Sequence, residues 1–543
     1  MSERDTTRYF YEHIAFPEIE KQKDKINYVY FDIRDYKDKS TNDEEFTALY
    51  KFLSPVHLLK REILPDNNKL NKEFYNELLH ILGLVENDSE GKIKIERKTK
   101  NRDEGSLLEL TIAQLETADI SQISDLNSFG ENYDEQVFNI AFSLIITWIN
   151  RILFLKLLEG QLLKYHNEDV NYAFLRPEKI KEYQKLNTLF FQILAQTTAQ
   201  RPATLKEFEK VPYLNSSLFE ETELEKTLKI GLLQNGVSLP LYVKTVLTHK
   251  TKDALDYLLQ FLNAYNFSGK QELGDDPDKL ISAAVLGLIF EKINGYKDGS
   301  FFTPSFITMY MCHETIGRAV VQKFNEAKGW KCQTIDDLHN HIGKNTDDIK
   351  EANQIFNEIR ICDPAVGSGH FLVSALNEMI YLKSRLGILA DETHKTLNAY
   401  SITLSNDELT VKHNGEFFKY VPADPESHRV QKTLFHEKQT IIENCLFGVD
   451  INPNSVKICQ LRLWIELLKN AYYTSPFPSI NGGVDAEGGR GGLQTLPNID
   501  INIKCGNSLI SRFDLTDKYL DYAGMKNKVI QATKKYKQWI GRE

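Results

Sequence analysis

The sequence predicts an α/β chain whose last part folds as a doubly wound parallel sheet. Three segments carry this prediction, because each resembles a strand that ends in a polar residue suited to a ligand: residues 360–372, 444–452 and 499–509. In doubly wound folds the carboxyl ends of the strands lie at one edge of the sheet, where ligands bind. The three segments therefore predict one binding site, formed by residues that are far apart along the chain.

The first segment, RICDPAVGSGHFL, combines a strand end, an acid, a glycine turn and a helix start. Pro364 cannot continue a ladder strand, and Gly367 and Gly369 let the backbone turn sharply and approach a ligand without a Cβ clash. A helix is predicted over 371–386, and backbone N–H groups at its start would point at the ligand. We interpret the segment as a cradle for a nucleotide cofactor.

The second and third segments supply partners for this turn in the right order. Residues 444–450 form an apolar run that ends in Asp450, which is placed to accept hydrogen bonds from ribose hydroxyls. Residues 499–505 alternate apolar and polar side chains and stop at Gly506. The following Asn507 offers both a donor and an acceptor to an adenine edge.

Each residue also has a plainer structural explanation when it is taken alone. Asp363 could cap a loop, Asp450 could cap a helix that starts near Pro453, and Asn507 could form an Asx-turn. His370 is expected to be a packing or capping residue rather than a base. The conjunction of three such residues after three predicted strands favours a site.

These segments, with LGLIFEK at 286–292 and GSFFTP at 299–304, resemble the cofactor half of adenine-specific DNA methyltransferases that use S-adenosylmethionine. The likeness is to the Type IIG restriction-modification methylases and the Type I modification subunits. It implies a Rossmann-like core, incomplete in this chain, over 276–543, and double-stranded DNA as the substrate. By this resemblance Phe302, Thr303 and Pro304 line the methionine end, Asp363, Ala365, Gly367 and Gly369 form the central cradle, Asp450 binds the ribose and Asn507 binds the adenine.

The catalytic motif of that family does not occur in this sequence. The motif is Asn, Asp or Ser followed by two prolines and an aromatic residue, and the chain has no Pro-Pro pair. The nearest string, at 474–478, has one proline before its aromatic residue and precedes the third strand, so we interpret it as a surface loop. We therefore assign no catalytic residue. We expect a truncated reading frame, an expressed fragment, or one part of a split enzyme that needs a catalytic or specificity subunit.

Length and charge set wider limits on the chain. Its 543 residues predict two or three domains, because single cores stop growing near ~250–300 residues. We place a mixed α/β region at 1–130, a mainly helical domain at 131–275 and the core at 276–543. A formal net charge of −10 means that DNA binding would need a concentrated basic face.

Local patterns fill in these regions. Helices are predicted over 45–59, 72–84, 136–163, 175–199, 253–265 and 276–292, and an edge strand over 92–98. An insertion at about 386–440 should hold a β element over 400–422, whose turn at 413–416 suits a type I′ hairpin. The glycine-rich residues 481–492 should form a mobile loop.

The amino-terminal region could hold a nuclease, as Type IIG proteins often do. Glu96-Arg97-Lys98, with Asp88 or Glu90 upstream, would then bind a metal ion. The alternative is a solvated basic strand or a phosphate contact, and we favour it because Glu-x-Lys is common in charged sequences. No metal site is assigned.

The cysteines and the most apolar stretch indicate the cellular compartment of the protein. Six cysteines without a Cys-x-x-Cys pair, and a polar start without a signal peptide, indicate buried reduced thiols in a cytoplasmic protein. The most apolar stretch, 138–158, is interrupted by charged and amide residues, so we expect a core helix rather than a membrane span.

Two functions of other classes stay open at this point. A dinucleotide oxidoreductase would also use a glycine turn and an acid after the second strand, although this turn lacks the third glycine at the expected offset. A noncatalytic module would bind cofactor, DNA or a partner chain without methyl transfer. Binding of NAD would favour the first alternative.

Overall fold

The computed structural model describes residues 9–22, 71–89, 92–196, 201, 206–214, 217–267, 279–281, 283–295, 303, 305–405, 407–474, 493–494 and 502–509. The chain divides into two compact units, Met1–Ile63 and Leu64–Glu543. Within the first unit the described residues form a π-helical turn, Tyr11–Ala15, and helix α1, Phe16–Gln22. The predicted helix over 45–59, the proline string beyond Thr474 and the loop over 481–492 lie outside the described residues.

The second unit opens with the predicted mixture of helix and strand. Asn71 caps its first helix, since the Asn71 side chain accepts a hydrogen bond from the Phe74 N–H at 2.9 Å. An antiparallel hairpin follows, and its second strand confirms the predicted edge strand. The elements are α2 (Lys72–Leu82), β1 (Leu84–Ser89) and β2 (Lys92–Arg97).

The described residues of the next part are mainly in helices and helical turns. It contains α3 (Leu107–Leu115), α4 (Tyr133–Tyr165), α5 (Tyr183–Thr188), α6 (Glu223–Thr227) and α7 (Ala254–Asn263), with a π-helical turn at Leu189–Leu194. Short 3-10 turns lie at Ile120–Gln122, Leu126–Phe129, Val170–Tyr172, Lys206–Phe208, Ser217–Phe219 and Ile230–Leu232.

The helix predicted over 175–199 is shorter in the structure, where it begins only at Tyr183. The backbone carbonyl of Arg176 accepts hydrogen bonds from the N–H groups of Lys179 and Ile180, at 3.0 and 2.9 Å, and closes a turn there. Pro177 disfavours a helix through Leu175 and Arg176, because a residue that precedes proline is disfavoured in the helical conformation. Glu182 is extended, with φ of −146° and ψ of +151°, so the helix begins only after it.

Helix α4 is the core helix predicted over 138–158. Among the described residues it is the one helix that is long and apolar enough to cross a membrane, and 89% of its most apolar stretch is buried inside the protein. Its buried charge is paired, since Arg151 forms an ion pair with Glu225 of α6. The indole N–H of Trp148 donates to the same carboxylate at 2.9 Å. Packing within the protein therefore accounts for the apolar character of α4.

The last part contains the predicted parallel sheet. Its helices are α8 (Ala283–Gly295), α9 (Ser305–Lys328), α10 (Ile335–His341), α11 (Thr346–Phe356), α12 (His370–Arg385), α13 (Pro425–Asn444) and α14 (Pro453–Leu468). Its strands are β3 (Ile361–Asp363), β7 (Leu446–Asp450) and β8 (Ile503–Cys505), which form a parallel sheet in the order β3-β7-β8. The three strands named by the sequence are therefore neighbours, in chain order.

A second small sheet occupies the predicted insertion. It consists of β4 (Tyr400–Ser405), β5 (Glu408–His413) and β6 (Glu416–Phe417), all antiparallel. Asn414 and Gly415 form the turn between β5 and β6, with φ of +52° and +85°. Two consecutive positive φ angles are what a type I′ turn requires, so the predicted hairpin is confirmed.

The prediction of buried thiols holds for four of the six cysteines. Cys312, Cys332, Cys445 and Cys459 are buried, whereas Cys362 and Cys505 are exposed. Cys362 lies opposite Phe447 in the strand register, and the next residue, Gly448, faces the other side of the sheet. Leu372 of α12 packs against Gly448 on that other side. Since neighbouring residues of a strand face opposite sides, the helix that covers Gly448 leaves Cys362 uncovered.

The turn between β4 and β5 is anchored by a buried acid. Asp407 accepts a hydrogen bond from the Ser374 hydroxyl at 2.9 Å, and its backbone carbonyl accepts one from the Asn377 amide at 2.8 Å. Its φ is +61°, which aspartate and asparagine tolerate better than most residues. Burial raises the pKa of Asp407 to about 7. Between its ordinary pKa of 3.8 and that value, the folded protein holds a proton that the unfolded chain releases.

We expect stability to fall as the pH rises through this window, and Asp407→Asn to remove the fall. The amide stays neutral, so the variant should be more stable than the wild type at pH 8 by roughly 2–4 kcal/mol. Urea unfolding at pH 5 and pH 8 measures the difference. Glu416→Gln, which alters an exposed acid of the same sheet, is the control. Parallel pH profiles for wild type and Asp407→Asn would contradict this role.

Candidate functional site

The glycine turn is hydrogen-bonded to the ends of two strands. The Ala365 N–H donates to Asp363 Oδ1 at 3.0 Å, and the Gly367 N–H donates to Asp450 Oδ2 at 2.8 Å. Between them the Val366 N–H donates to the Val449 carbonyl at 2.9 Å. The structure thus brings the first and second predicted sites together at one edge of the sheet, although 83 residues separate Gly367 from Asp450.

Gly369 is required by packing against a helix. Its φ is +84°, and a Cβ at this position would lie 2.7 Å from Cys459 Sγ and 3.2 Å from Cys459 Cα, in α14. Gly367 is also left-handed, with a φ of +52°. The sequence analysis explained these glycines by the close approach of a ligand. At Gly369 the close neighbour is instead α14.

Sequence reasoning missed a third glycine, Gly448, in the middle of β7. A Cβ there would lie 2.8 Å from Val366 Cγ2 and 3.2 Å from Leu372 Cδ1. The missing side chain therefore lets the glycine turn lie directly on the sheet. A glycine inside an apolar strand is the available signal, because it often marks a close approach of another backbone.

Asp450 joins the turn to the following loop. Its Oδ1 accepts a hydrogen bond from the Asn452 N–H at 2.8 Å, while its Oδ2 accepts from Gly367. Asp450 does not cap α14, since the cap is Asn452, whose side chain accepts from the Asn454 N–H at 2.8 Å. A carboxylate has about four acceptor positions, so Asp450 keeps capacity for hydroxyl donors.

A second carboxylate, Asp363, lies at the same edge and is partly buried. Burial raises the pKa of Asp363, the hydrogen bond from the Ala365 N–H opposes this shift, and the charge of Asp450 adds to it. Two neighbouring acids make this edge of the sheet electronegative. The site therefore favours a ligand that carries positive charge over one that carries phosphates.

The backbone amides of the turn support the same preference. Those of Ala365, Val366 and Gly367 donate to the acceptors described above, and the Gly369 N–H donates to the Val366 carbonyl at 2.9 Å. Phosphate-binding loops hold their ligand through backbone N–H groups of this kind. Because four of these groups already have partners inside the protein, the turn is poorly suited to a pyrophosphate.

Asn507 is exposed and lies two residues beyond β8. Its Oδ1 accepts a hydrogen bond from the Leu509 N–H at 2.9 Å, which is the Asx-turn that the sequence left as an alternative. The side-chain amide N–H groups of Asn507 are not used in this turn. β8 pairs with β7 so that Asp450 lies opposite Cys505, which places Asn507 at the same edge as Asp450.

The segment assigned to the methionine end is only partly described. Thr303 is partly buried and precedes α9 by two residues, while Phe302 and Pro304 lie outside the described residues. The relation of these three residues to the turn therefore stays a prediction.

Beneath the turn lies a group of buried polar side chains that the sequence did not identify as a unit. It consists of Glu291 from α8, Ser368 and His370 from the turn, and Arg462 from α14. His370 Nε2 lies 2.5 Å from Glu291 Oε2, and Arg462 Nη2 lies 3.2 Å from His370 Nδ1. Burial and the charge of Arg462 lower the pKa of His370, against the opposing effect of Glu291. We call these four residues the cradle network.

The residues of the hypothetical nuclease form an ordinary hairpin. Glu96 accepts a hydrogen bond from the Asn87 amide at 2.9 Å, Arg97 pairs with Glu109, and Lys98 pairs with Asp103 at 2.7 Å. The side chain of Asp88 and all of Glu90 lie outside the described residues. Within the described part of the chain, no group of three or more His, Cys, Asp or Glu side chains could hold a metal ion.

Two family models match the amino-terminal half of the chain. Residues 67–281 match a model described as "Domain of unknown function (DUF7814)", and residues 1–66 match one described as "Domain of unknown function (DUF7149)". Neither model reaches the parallel sheet.

A curated relative comes from Methanocaldococcus jannaschii, and its name describes it as a candidate type II restriction enzyme and methyltransferase. It is 28% identical over an alignment of 411 residues, and the match covers 68% of this chain and 28% of that protein. This chain is therefore homologous to a restriction-modification protein but spans little more than a quarter of its length. A solved Type IIL restriction-modification enzyme in complex with DNA is similar over 67% of this chain and 36% of its own, with 17% identity and a TM-score of 0.36, which does not establish a shared fold.

Proposed function

We propose that this chain is the cofactor-binding part of a site-specific DNA adenine N6-methyltransferase in a restriction-modification system. The hydrogen bond from the Gly367 N–H to the Asp450 carboxylate carries the proposal, because it unites two predicted cofactor sites at the ends of parallel strands. Homology to a protein named as a restriction enzyme and methyltransferase supports the same reading. The substrate is double-stranded DNA.

The cofactor that fits this edge is S-adenosylmethionine, which supplies an electrophilic methyl group on a positively charged sulfur. In the proposed site Asp450 accepts hydrogen bonds from the ribose hydroxyls, and the glycine turn, with Asp363 and Ala365, lies along the middle of the cofactor. Asn507 offers its amide to the adenine, and Phe302, Thr303 and Pro304 lie at the methionine end. The two acids favour a cation, and the amides already bonded within the turn disfavour a dinucleotide.

The adenine target follows from the family resemblance. An adenine amino group is a poor nucleophile, and transfer requires carbonyl acceptors for its protons and a pocket for the flipped base. The sequence contains no Asn-Pro-Pro-aromatic motif that would supply them. We therefore expect the purified 543-residue chain to bind S-adenosylmethionine but to leave DNA unmethylated. Nucleoside analysis after incubation with DNA and labelled cofactor measures this, and N6-methyladenine in that assay would overturn the expectation.

The function itself is tested with the coding DNA of this chain together with the DNA that flanks it. We would express it in cells that lack adenine methylation and identify the modified nucleosides of their DNA by mass spectrometry. The proposal predicts N6-methyladenine, which disappears when Asp450 is replaced by alanine. Methylcytosine in its place would contradict the adenine assignment. No modified base, together with cofactor binding, would favour a noncatalytic fragment or subunit that needs a partner chain.

A further inference from the structure

The cradle network connects three elements that the proposed site depends on. Glu291 belongs to α8, which leads toward the residues assigned to the methionine end. Ser368 and His370 flank Gly369 in the turn. Arg462 belongs to α14, which follows the strand that ends in Asp450. All four side chains are buried, with 1% to 9% of their surface exposed, so their polar atoms need partners within the protein.

The donors and acceptors of the network have one consistent arrangement. A guanidinium group only donates, so His370 Nδ1 must accept the hydrogen bond from Arg462. The proton of the imidazole then lies on Nε2 and is donated to Glu291. Ser368 completes the arrangement, since its hydroxyl lies 3.4 Å from Arg462 Nη1 and 3.3 Å from Glu291 Oε2. The positive charge of Arg462 and the negative charge of Glu291 balance each other within the network.

The surrounding backbone is shaped around this network. A Cβ at Gly287 of α8 would lie 3.1 Å from Arg462 Nε and 3.2 Å from Arg462 Cζ, so this glycine makes room for the guanidinium. On the other side, Gly369 lies against Cys459 of α14. The turn is thus held by contacts with Asp450, with α14 and with α8.

We propose that Glu291, His370 and Arg462 are positioning residues, which hold the glycine turn in the conformation that binds the cofactor. The inference rests on the proposed function for the identity of that cofactor. A buried neutral imidazole between an acid and a guanidinium fixes the direction of every hydrogen bond, so the backbone between Ser368 and His370 is fixed with it. Helix α8 is therefore part of the cofactor site although none of its residues needs to touch the cofactor.

The test compares two substitutions at His370 with a control substitution in a buried ion pair of the helical part. His370→Leu removes both hydrogen bonds, whereas His370→Gln keeps one donor and one acceptor and should restore them in part. Glu225→Gln disrupts the buried pair with Arg151, far along the chain in the helical part, and is the control for a general loss of stability. Arg462→Lys, which keeps the charge but loses the planar fork, replaces His370→Leu if that variant does not fold.

The first readout needs no cofactor. Hydrogen exchange of the amides in 365–369 should be about tenfold faster in His370→Leu, close to wild type in His370→Gln, and unchanged in Glu225→Gln. The second readout is calorimetric titration with S-adenosylmethionine, where His370→Leu should bind about tenfold more weakly and the other two nearly normally. Unchanged exchange in folded His370→Leu, or an equal effect of Glu225→Gln, overturns the inference. Failure of the wild type to bind the cofactor contradicts the proposed function, while exchange still decides the positioning role.

Discussion

Asp450→Ala is expected to abolish measurable binding of S-adenosylmethionine, with a loss of affinity of about 100-fold or more. The carboxylate holds the glycine turn through Gly367 and the start of the next loop through Asn452. In the proposed site it also accepts the ribose hydroxyls. Hydrogen bonds to a charged group contribute about 1.5–3 kcal/mol each, so the loss of two or three of them accounts for this magnitude. Titration calorimetry of the folded variant measures the effect.

Asn452→Ala is the matched control for Asp450→Ala. It removes the cap of α14 from the same loop, since the Asn452 side chain accepts from the Asn454 N–H, but it removes no predicted cofactor contact. Loss of a cap costs about 1 kcal/mol of stability. We expect this control to lower the melting temperature while affinity stays within a few-fold of wild type. Equal affinities for Asp450→Ala and wild type would remove Asp450 from the site.

Gly369→Ala is expected to lower the free energy of unfolding by roughly 2–4 kcal/mol. Two effects add at this position. A left-handed φ of +84° is unfavourable for alanine, and the new Cβ would lie 2.7 Å from Cys459 Sγ, with the backbone of α14 directly behind it. The turn must shift to relieve the overlap, so binding of the cofactor by the folded fraction should weaken as well. Urea unfolding and titration calorimetry measure the two losses.

Gly415→Ala separates these two effects. Gly415 has nearly the same φ, +85°, but a Cβ at that position would have no atom within 4 Å. Only the conformational cost remains, and we expect it to be about 1 kcal/mol. If the two alanine variants were equally stable, close packing of the turn against α14 would not be the reason for glycine at 369.

The sequence predicted the parts of this fold that depend on local patterns. The strands that end in Asp363 and Asp450 were predictable from apolar runs, and the strand that ends in Cys505 from alternating residues before Gly506. Their order in the sheet, β3-β7-β8, is known only from the structure. The type I′ turn was readable because Asn-Gly tolerates two positive φ angles.

Features that depend on contacts between distant segments were not readable in this way. Glu291 and Arg462 lie in helices with ordinary amphipathic patterns, and nothing in their local sequence shows that both meet His370. From the sequence alone, Gly448 is an unfavourable residue in a strand. Its role becomes clear only from its close contact with Val366 in the structure. Whether the Gly367 N–H is available to a ligand depends on the Asp450 carboxylate, which lies 83 residues away in the chain.

The choice of cofactor is the central claim, and titration of the wild-type chain tests it most directly. We would titrate S-adenosylmethionine and NAD separately into the purified protein by calorimetry. The proposal predicts saturable binding of one S-adenosylmethionine per chain and no binding of NAD. Binding of NAD, or saturation by neither ligand, would contradict the assignment of this edge of the sheet as a methyl-donor site.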